Sequence, residues 1–378
     1  MKSITIFFVF YCQLYLAAFN FLGIIPFRFL GSIIALIFLF NSKIIFPKKF
    51  VFGAAIFTLF SFITIFIHPK YADNLIPLLS NNLINLSYIV LVISLWFSDF
   101  KKNFLIILIS LLMLNALSLI FQFFYLEQFT KLLDFFTPGR FIDIDFERNL
   151  SKHKSISGFF GEVYSGYTNI VLLGLLLYFL ETYKENRILI YSLLIITMYA
   201  VYLLGQRSSF FCIILLLFFY LKSFNFLKYK IWLSLFLLMS FISVFNLNFR
   251  TIGDFNFDLL FRSQIYINSL AFISENFLIP GGLINFKDFN DNKSPHNIFL
   301  TAFVEGGFFL FLYLLYFLKS IFTHSSLKSF PFLIFLMLFL SSIAHNHGIL
   351  SFELFTWSFM IIGFLDSKSI FNYEKKYG

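Results

Sequence analysis

The residues best suited to acid–base chemistry stand at the edge of a long apolar segment. His296 and Asn297 come directly before the apolar run that begins at Ile298, and Glu305 lies two helical turns deeper in that run. An ionisable group inside a membrane span is costly, so Glu305 is expected to face a partner or a wet cavity. A histidine at the water boundary can accept a proton during a reaction. The alternative is that His296 and Asn297 only cap the helix.

An arginine with the chemistry of a phosphate ligand stands at a second boundary. Arg207 lies in the short segment GQRSS, residues 205–209, between two apolar runs. Its guanidinium group presents a planar fork that matches phosphate oxygens. The alternative is that the side chain snorkels to lipid headgroups. A second isolated arginine, Arg262, begins a stretch with helical periodicity that extends to Ile273 and is expected to lie along the membrane surface.

A second carboxylate, Glu162, lies in a glycine-containing stretch that runs from Ser155 to Gly166. Glycines let another backbone approach closely, so Glu162 is placed to enter a cavity. Arg140 and Arg148 precede this stretch and are expected to support the same site.

The sequence offers no convincing metal site. Asp143 and Asp145 have a spacing that is common by chance, and His345 and His347 have no carboxylate or thiol cluster near them in the sequence. The two cysteines fall within apolar runs and suggest neither a disulfide framework nor a metal site. Neither a metal nor a cofactor is expected.

The composition predicts how these residues are positioned. The chain has 378 residues, of which 60% are hydrophobic and only 12% charged. Soluble domains have about a quarter of their residues charged, so this chain is expected to lie in lipid. The net charge of +9 comes mostly from short loops, where basic residues orient helices, so nucleic acid is not an expected partner.

Hydropathy predicts an all-α, polytopic membrane protein with a single transmembrane domain, 1–378, of about 12 helices. The distribution of Lys and Arg predicts that both termini are cytoplasmic and that two long loops, 127–166 and 248–297, lie outside. The first apolar run is expected to be an uncleaved span rather than a signal peptide. The predicted spans are 4–25, 29–42, 50–67, 83–98, 103–125, 167–183, 188–204, 208–222, 231–247, 298–318, 330–346 and 349–365.

Four segments, taken in order, resemble the O-antigen polymerase and O-antigen ligase superfamily. They are SGFFGEVYSGY, LLGQRSSF, RSQIYINSLAFISENFLIPGG and SPHNIFLTAFVEGGFFLFL, which lie between residues 157 and 312. Two positions depart from the family pattern: Gln206 replaces the usual charged neighbour of the arginine, and Gly281-Gly282 replaces the commoner Gly-x-Gly.

The resemblance implies a GT-C-like membrane glycosyltransferase that needs no metal and uses sugars linked to polyprenyl diphosphate at the periplasmic face of the bacterial inner membrane. It implies that Arg207 and Arg262 bind the diphosphate and that either His296 or Glu162 is the base. The expected partners are the lipid-linked oligosaccharide, the bilayer and a chain-length regulator.

Three functions remain open at this point. The first is polymerisation of polysaccharide repeat units, favoured by the SGFFGE segment. The second is ligation of the finished chain to the lipid A core. The third is a lipid-linked sugar transporter or flippase, against which stand the absence of two similar halves and the clustering of polar residues in the two long loops.

Overall fold

Helices make up nearly all of the chain that the structure describes. The computed structural model describes residues 2–16, 20–21, 25–40, 75–136, 158–160, 162–223, 252–278, 281–291, 294–295, 297–325, 329–344 and 353–377. Within these ranges the exceptions are short connections and two strands of two residues each, Asn20–Phe21 (β1) and Ile25–Pro26 (β2). The predicted helical fold class is confirmed at this level.

The helices mostly overlap the predicted spans, and three of them lie within the two predicted long loops instead. In chain order they are Lys2–Leu14 (α1), Phe27–Phe40 (α2), Leu75–Trp96 (α3), Lys101–Phe124 (α4), Leu126–Phe136 (α5), Glu162–Tyr183 (α6), Arg187–Leu204 (α7), Arg207–Ser223 (α8), Ile252–Glu275 (α9), Leu283–Phe289 (α10), Ile298–His324 (α11), Phe330–Ala344 (α12) and Leu354–Tyr377 (α13). The predicted spans 50–67 and 231–247 lie outside the described residues.

Four helices in the described ranges are long and apolar enough to cross a membrane, and they belong to α4, α6, α7 and α11. They are Lys101–Phe124, Tyr164–Tyr183, Arg187–Leu204 and Ile298–Thr323. Shorter apolar helices occupy other predicted spans, as in Lys2–Leu14 and Phe330–Ile343. This pattern supports a helical membrane protein.

The first predicted span, 4–25, is wrong in its second half. α1 ends at Leu14, and Asn20 and Phe21 pair with Pro26 and Ile25 in an antiparallel register. Apolar composition alone predicted one continuous span, because an apolar run does not show where within it a helix ends.

The chain divides into two compact units, which are interleaved in the sequence. The first comprises Met1–Ile37 and Leu95–Thr251, and the second comprises Phe38–Ser94 and Ile252–Gly378. In the first unit α4 packs against α1, α6 and α7, and α6 also packs against α8. Fully buried leucines of α4 and α6 form its core. In the second unit α9 and α10 pack on α11, and α12 pairs with α13.

One end of the first unit gathers basic residues. Lys102, near the start of α4, forms an ion pair of 2.6 Å with Glu185, which lies between α6 and α7. Lys101 lies over the Trp96 ring, with its Nζ 4.1 Å from the ring centroid. An exposed ion pair contributes little to stability. Since α6 ends near these cations, α6 and α8 begin at the other end of the unit, away from them.

In the second unit, α11 is broken at Gly307. This residue has φ 66° and ψ −168°, a backbone conformation that is essentially restricted to glycine. A Cβ atom at this position would lie 3.1 Å from the Leu278 carbonyl oxygen. The connection between α9 and α10 is therefore seated directly on the break.

We expect Gly307→Ala to lower the free energy of unfolding by about 1–3 kcal/mol, because alanine cannot adopt this conformation without strain. Thermal unfolding of the purified protein in detergent measures the change. Phe309→Ala is the control, since the Phe309 side chain is exposed two residues away. Equal stability of Gly307→Ala and the parent protein would show that the break does not require glycine.

Candidate functional site

The starts of α6 and α8 lie against each other in the first unit. A Cβ atom at Gly166, one turn into α6, would overlap the Gln206 side chain and Ser209 Oγ at the start of α8. The Ser209 hydroxyl donates a hydrogen bond of 2.5 Å to Gln206 Oε1. Glycine at position 166 is what allows this approach, because any larger residue would separate the two helices.

This contact brings two residues predicted from the sequence to the same end of one unit. Glu162 is the first residue of α6, and Arg207 is the first residue of α8. The N-terminus of a helix attracts anions, because its first N–H groups lack partners within the helix and the helix dipole is positive there. An arginine at that position adds a cation with bidentate geometry.

The start of α8 also holds buried polar atoms that lack partners within the described residues. Gln206 is almost fully buried, and its Nε2 has no hydrogen-bond partner among them. Ser208 Oγ is likewise buried and unpartnered there. A buried donor without a partner costs about 1–3 kcal/mol, so a bound ligand oxygen at this position would recover that energy. The donors and the helix terminus together fit an anion.

Behind this contact lies a polar cluster that the sequence reasoning missed. The Asn115 side chain on α4 donates to Ser165 Oγ at 3.2 Å and to Thr168 Oγ1 at 3.3 Å, and its Oδ1 accepts from Phe159 N at 3.1 Å. Gln122 Oε1 accepts from Gly158 N at 2.8 Å. The amides therefore fix residues 158–160 just before the start of α6. The signal available in the sequence was two amide residues inside an apolar run.

A third amide, Asn169 on α6, is also buried. Neither its Nδ2 nor its Oδ1 has a hydrogen-bond partner within the described part of the chain. It lies one turn beyond Gly166, so α6 carries polar groups inward from the contact with α8. A buried amide inside a membrane helix is expensive, and Asn169 had no place among the residues predicted from the sequence.

Asn297 is a helix cap, as the simpler alternative predicted. Its Oδ1 accepts hydrogen bonds from Phe299 N at 2.9 Å and Leu300 N at 3.3 Å, and its Nδ2 donates to the Ile343 carbonyl at 3.3 Å. The Asn297 side chain therefore anchors the start of α11 to the end of α12. His296, the residue immediately before this cap, lies outside the described residues, as do Arg140 and Arg148.

Arg262 and Glu305 lie on packed helices of the second unit, but at different levels. Phe272 of α9 and Val304 of α11 belong to one buried cluster, and Phe277, two residues after the end of α9, contacts Phe308 further along α11. α9 thus runs in the same direction as α11. Arg262 lies ten residues before Phe272, about 15 Å back along the helix, on the side where α11 begins.

Glu305 has other polar surroundings. It is partly buried next to the break in α11, and Lys287 of α10 interacts with it electrostatically. α10 also joins α9 through a chain of amides, in which Gln264 donates to Asn268 and Asn268 donates to Asn290 at 2.7 Å. Glu305 therefore belongs with the α9–α10 connection, and Arg262 belongs with the start of α11.

The two buried asparagines of the first unit provide a matched pair for stability measurements. Asn115→Leu removes the partners of Ser165, Thr168 and Phe159, so we expect it to lower the free energy of unfolding by about 2–4 kcal/mol. Asn169→Leu leaves no partner of the described residues unpaired, and we expect it to change stability by less than about 1 kcal/mol or to stabilise the protein. Thermal unfolding of both variants in detergent tests this, and equal losses would contradict it.

Comparison with known proteins found no relative of this chain. No protein-family model, no curated protein and no solved structure matches the chain. The superfamily resemblance consequently depends on the four sequence segments alone, and the geometry described above is the independent ground on which a function can be proposed.

Proposed function

We propose that this protein is a membrane glycosyltransferase that polymerises polysaccharide repeat units carried on polyprenyl diphosphate. The observation that carries the proposal is the start of α8, where Arg207, a helix N-terminus and the buried Gln206 Nε2 and Ser208 Oγ donors occur together. These groups suit a diphosphate, which offers several anionic oxygens at once. The apolar helices around them suit a lipid-linked substrate.

The proposed reaction is transfer of a glycosyl group to a hydroxyl. The acceptor oxygen attacks the anomeric carbon of the donor sugar, and the bond from that carbon to the diphosphate oxygen breaks. The acceptor proton passes to the base, and the polyprenyl diphosphate leaves with the electron pair. Fixed donors and a cation stabilise the charge that develops on the leaving group, and a site shielded from water strengthens them. Arg207 performs this role in the proposal.

The base is His296 or Glu162. The two residues lie next to the starts of different helices. Glu162 begins the helix that packs against the start of α8. His296 immediately precedes Asn297, whose cap bonds fix where α11 begins. We further propose that the protein has about 12 spans and a GT-C-like architecture, and that it lies in the bacterial inner membrane with its catalytic face on the periplasmic side.

Polymerisation, rather than ligation, is tested by the polysaccharide ladder of the source strain. Deletion of the gene is expected to leave a single repeat unit on the lipid A core, because units are still made and attached but not joined. Loss of all repeats from the core, with long chains retained on the carrier lipid, would instead identify a ligase. An unchanged ladder would contradict both.

Restoring the deletion strain with single variants tests the site. We expect Arg207→Ala to reduce the rate of polymerisation about 100-fold or more, since it removes a cation from the leaving-group site. Arg187→Ala is the matched control, because Arg187 is also the first residue of a helix in the same unit but at the opposite end. Both proteins must be present in the membrane at the parent level. Equal activity of the two variants would contradict the diphosphate assignment.

The pH dependence of the rate distinguishes the two candidate bases. A base must be unprotonated to act, so the rate falls as the pH drops below the pKa of that base. An unperturbed histidine would place this fall near about pH 6.5, and an unperturbed glutamate near about pH 4.3. Purified protein with lipid-linked repeat units gives the profile. Retention of the acid limb in His296→Ala would exclude His296 as its source, and retention in Glu162→Gln would exclude Glu162.

Transport is a second candidate, favoured by the break of α11 at Gly307. Transporters commonly bind substrates at interrupted membrane helices, and Glu305 lies two residues before this interruption. Movement of a lipid-linked oligosaccharide across vesicles containing the purified protein, without new glycosidic bonds, would support transport. Formation of longer chains in the same vesicles would support polymerisation.

A further inference from the structure

The connection between α9 and α10 is bonded to α11 inside the membrane-spanning part of that helix. The Phe308 N–H donates to the Phe277 carbonyl at 3.0 Å, and the Gly282 N–H donates to the Val304 carbonyl at 3.0 Å. We use the name α9–α10 hairpin for the segment from Arg262 to Asn290. Its turn is attached on both sides of the break at Gly307.

Helix length sets how deep that turn lies. α11 has 27 residues and is about 40 Å long, whereas the hydrocarbon core of a bilayer is about 30 Å thick. Counting about 20 residues back from Thr323 reaches the neighbourhood of Val304, so up to two turns at the start of α11 can project from the hydrocarbon. Phe308 follows Val304 by four residues on the side of Thr323, so it lies below the boundary, and Phe277 is bonded to it.

Several backbone groups of the turn, among the residues that the structure describes, have partners within the protein. Irregular backbone is tolerated at membrane depth only where its polar groups have partners in the protein. Besides the two bonds to α11, the Asn276 side-chain amide donates to the Phe272 carbonyl at 2.9 Å. The Asn285 amide donates to the Gly281 carbonyl at 2.9 Å. Side-chain amides at both ends of the turn thus satisfy backbone groups that water would otherwise serve.

Two side chains at the start of the turn are apolar and uncovered. Phe277 is 47% exposed and Leu278 is 58% exposed. They continue the exposed apolar stripe of α11, which contains Phe309, Leu312 and Tyr316 at helical spacing. The Phe277 and Phe308 rings also stack, with centroids 5.0 Å apart. The lipid-facing surface of a candidate span therefore extends without interruption onto the hairpin.

We propose that the α9–α10 hairpin dips into the bilayer, with Phe277 and Leu278 in contact with lipid acyl chains. α9 enters alongside α11, the turn lies below the hydrocarbon boundary, and α10 leads back out. The face of α9 that packs on α11 contains Phe272 and Ile273, and Ile267 and Leu270 are exposed elsewhere on α9. The hairpin is a re-entrant element and not a loop lying in water. This inference concerns the bilayer contact and is independent of the proposed reaction.

Site-directed spin labelling tests the hairpin in the complete protein. Cys12 and Cys212 are both buried, and replacing them with alanine gives a background without reactive thiols. A nitroxide is then attached at Leu278→Cys, and the protein is reconstituted in vesicles of phosphatidylethanolamine and phosphatidylglycerol. Collision of the label with oxygen, which concentrates in lipid, is compared with collision with a water-soluble nickel complex.

Two reference positions define the outcomes. Phe309→Cys reports the lipid-facing surface of α11, and Glu185→Cys reports water at a position whose exposed ion pair contributes little to stability. We expect the label at position 278 to collide with oxygen several-fold more than with nickel, as at position 309. A nickel-dominated ratio like that of position 185 would overturn the proposal. Unfolding temperatures equal to that of the thiol-free background confirm that the labelled proteins are folded.

Discussion

The constraint on which the structure depends is that polar groups surrounded by apolar atoms must find partners within the protein. A backbone of continuous helices meets it automatically, which is why long helices dominate the described chain. At two places in the described chain where the backbone is not helical, a side-chain amide or a carbonyl group accepts the backbone N–H groups. Asn115 and Gln122 receive the N–H groups of residues 158 and 159, and Phe277 receives the N–H of Phe308 after the break at Gly307.

The same constraint separates the buried amides into those with partners among the described residues and those without. The Asn115 amide makes bonds that hold α4 to α6, and Asn297 makes bonds that hold α11 to α12, so both have a complete structural role. Gln206 Nε2 and Asn169 are buried without such partners among the described residues. In the proposed function, the unpaired Gln206 donor at the start of α8 is the one that a diphosphate oxygen would satisfy.

The break in α11 lies where the α9–α10 connection is bonded to that helix. Gly307 allows the α9–α10 connection to sit on the helix, and this seating fixes α9 along α11. Arg262 is thereby held on the side where α11 begins, which is also where Asn297 sets the helix start and His296 precedes it in sequence. Because the connection is seated at Gly307, the conformation of this glycine affects where Arg262 lies within the same unit.

The helical fold class and the membrane character of the chain could be predicted from the sequence, because apolar runs and charges act locally along it. The sequence also predicted a helical stretch from Arg262 to Ile273, which lies within α9, and offered capping by Asn297 as an alternative. It did not reveal the end of α1 at Leu14, the close contact of Gly166 with Gln206, or the break at Gly307. Those features depend on which backbones approach each other, and an apolar run reads the same whichever partner it meets. Gln206 departs from the family pattern in the sequence. It becomes a buried donor next to Arg207 in the chain because α8 packs against Gly166 of α6.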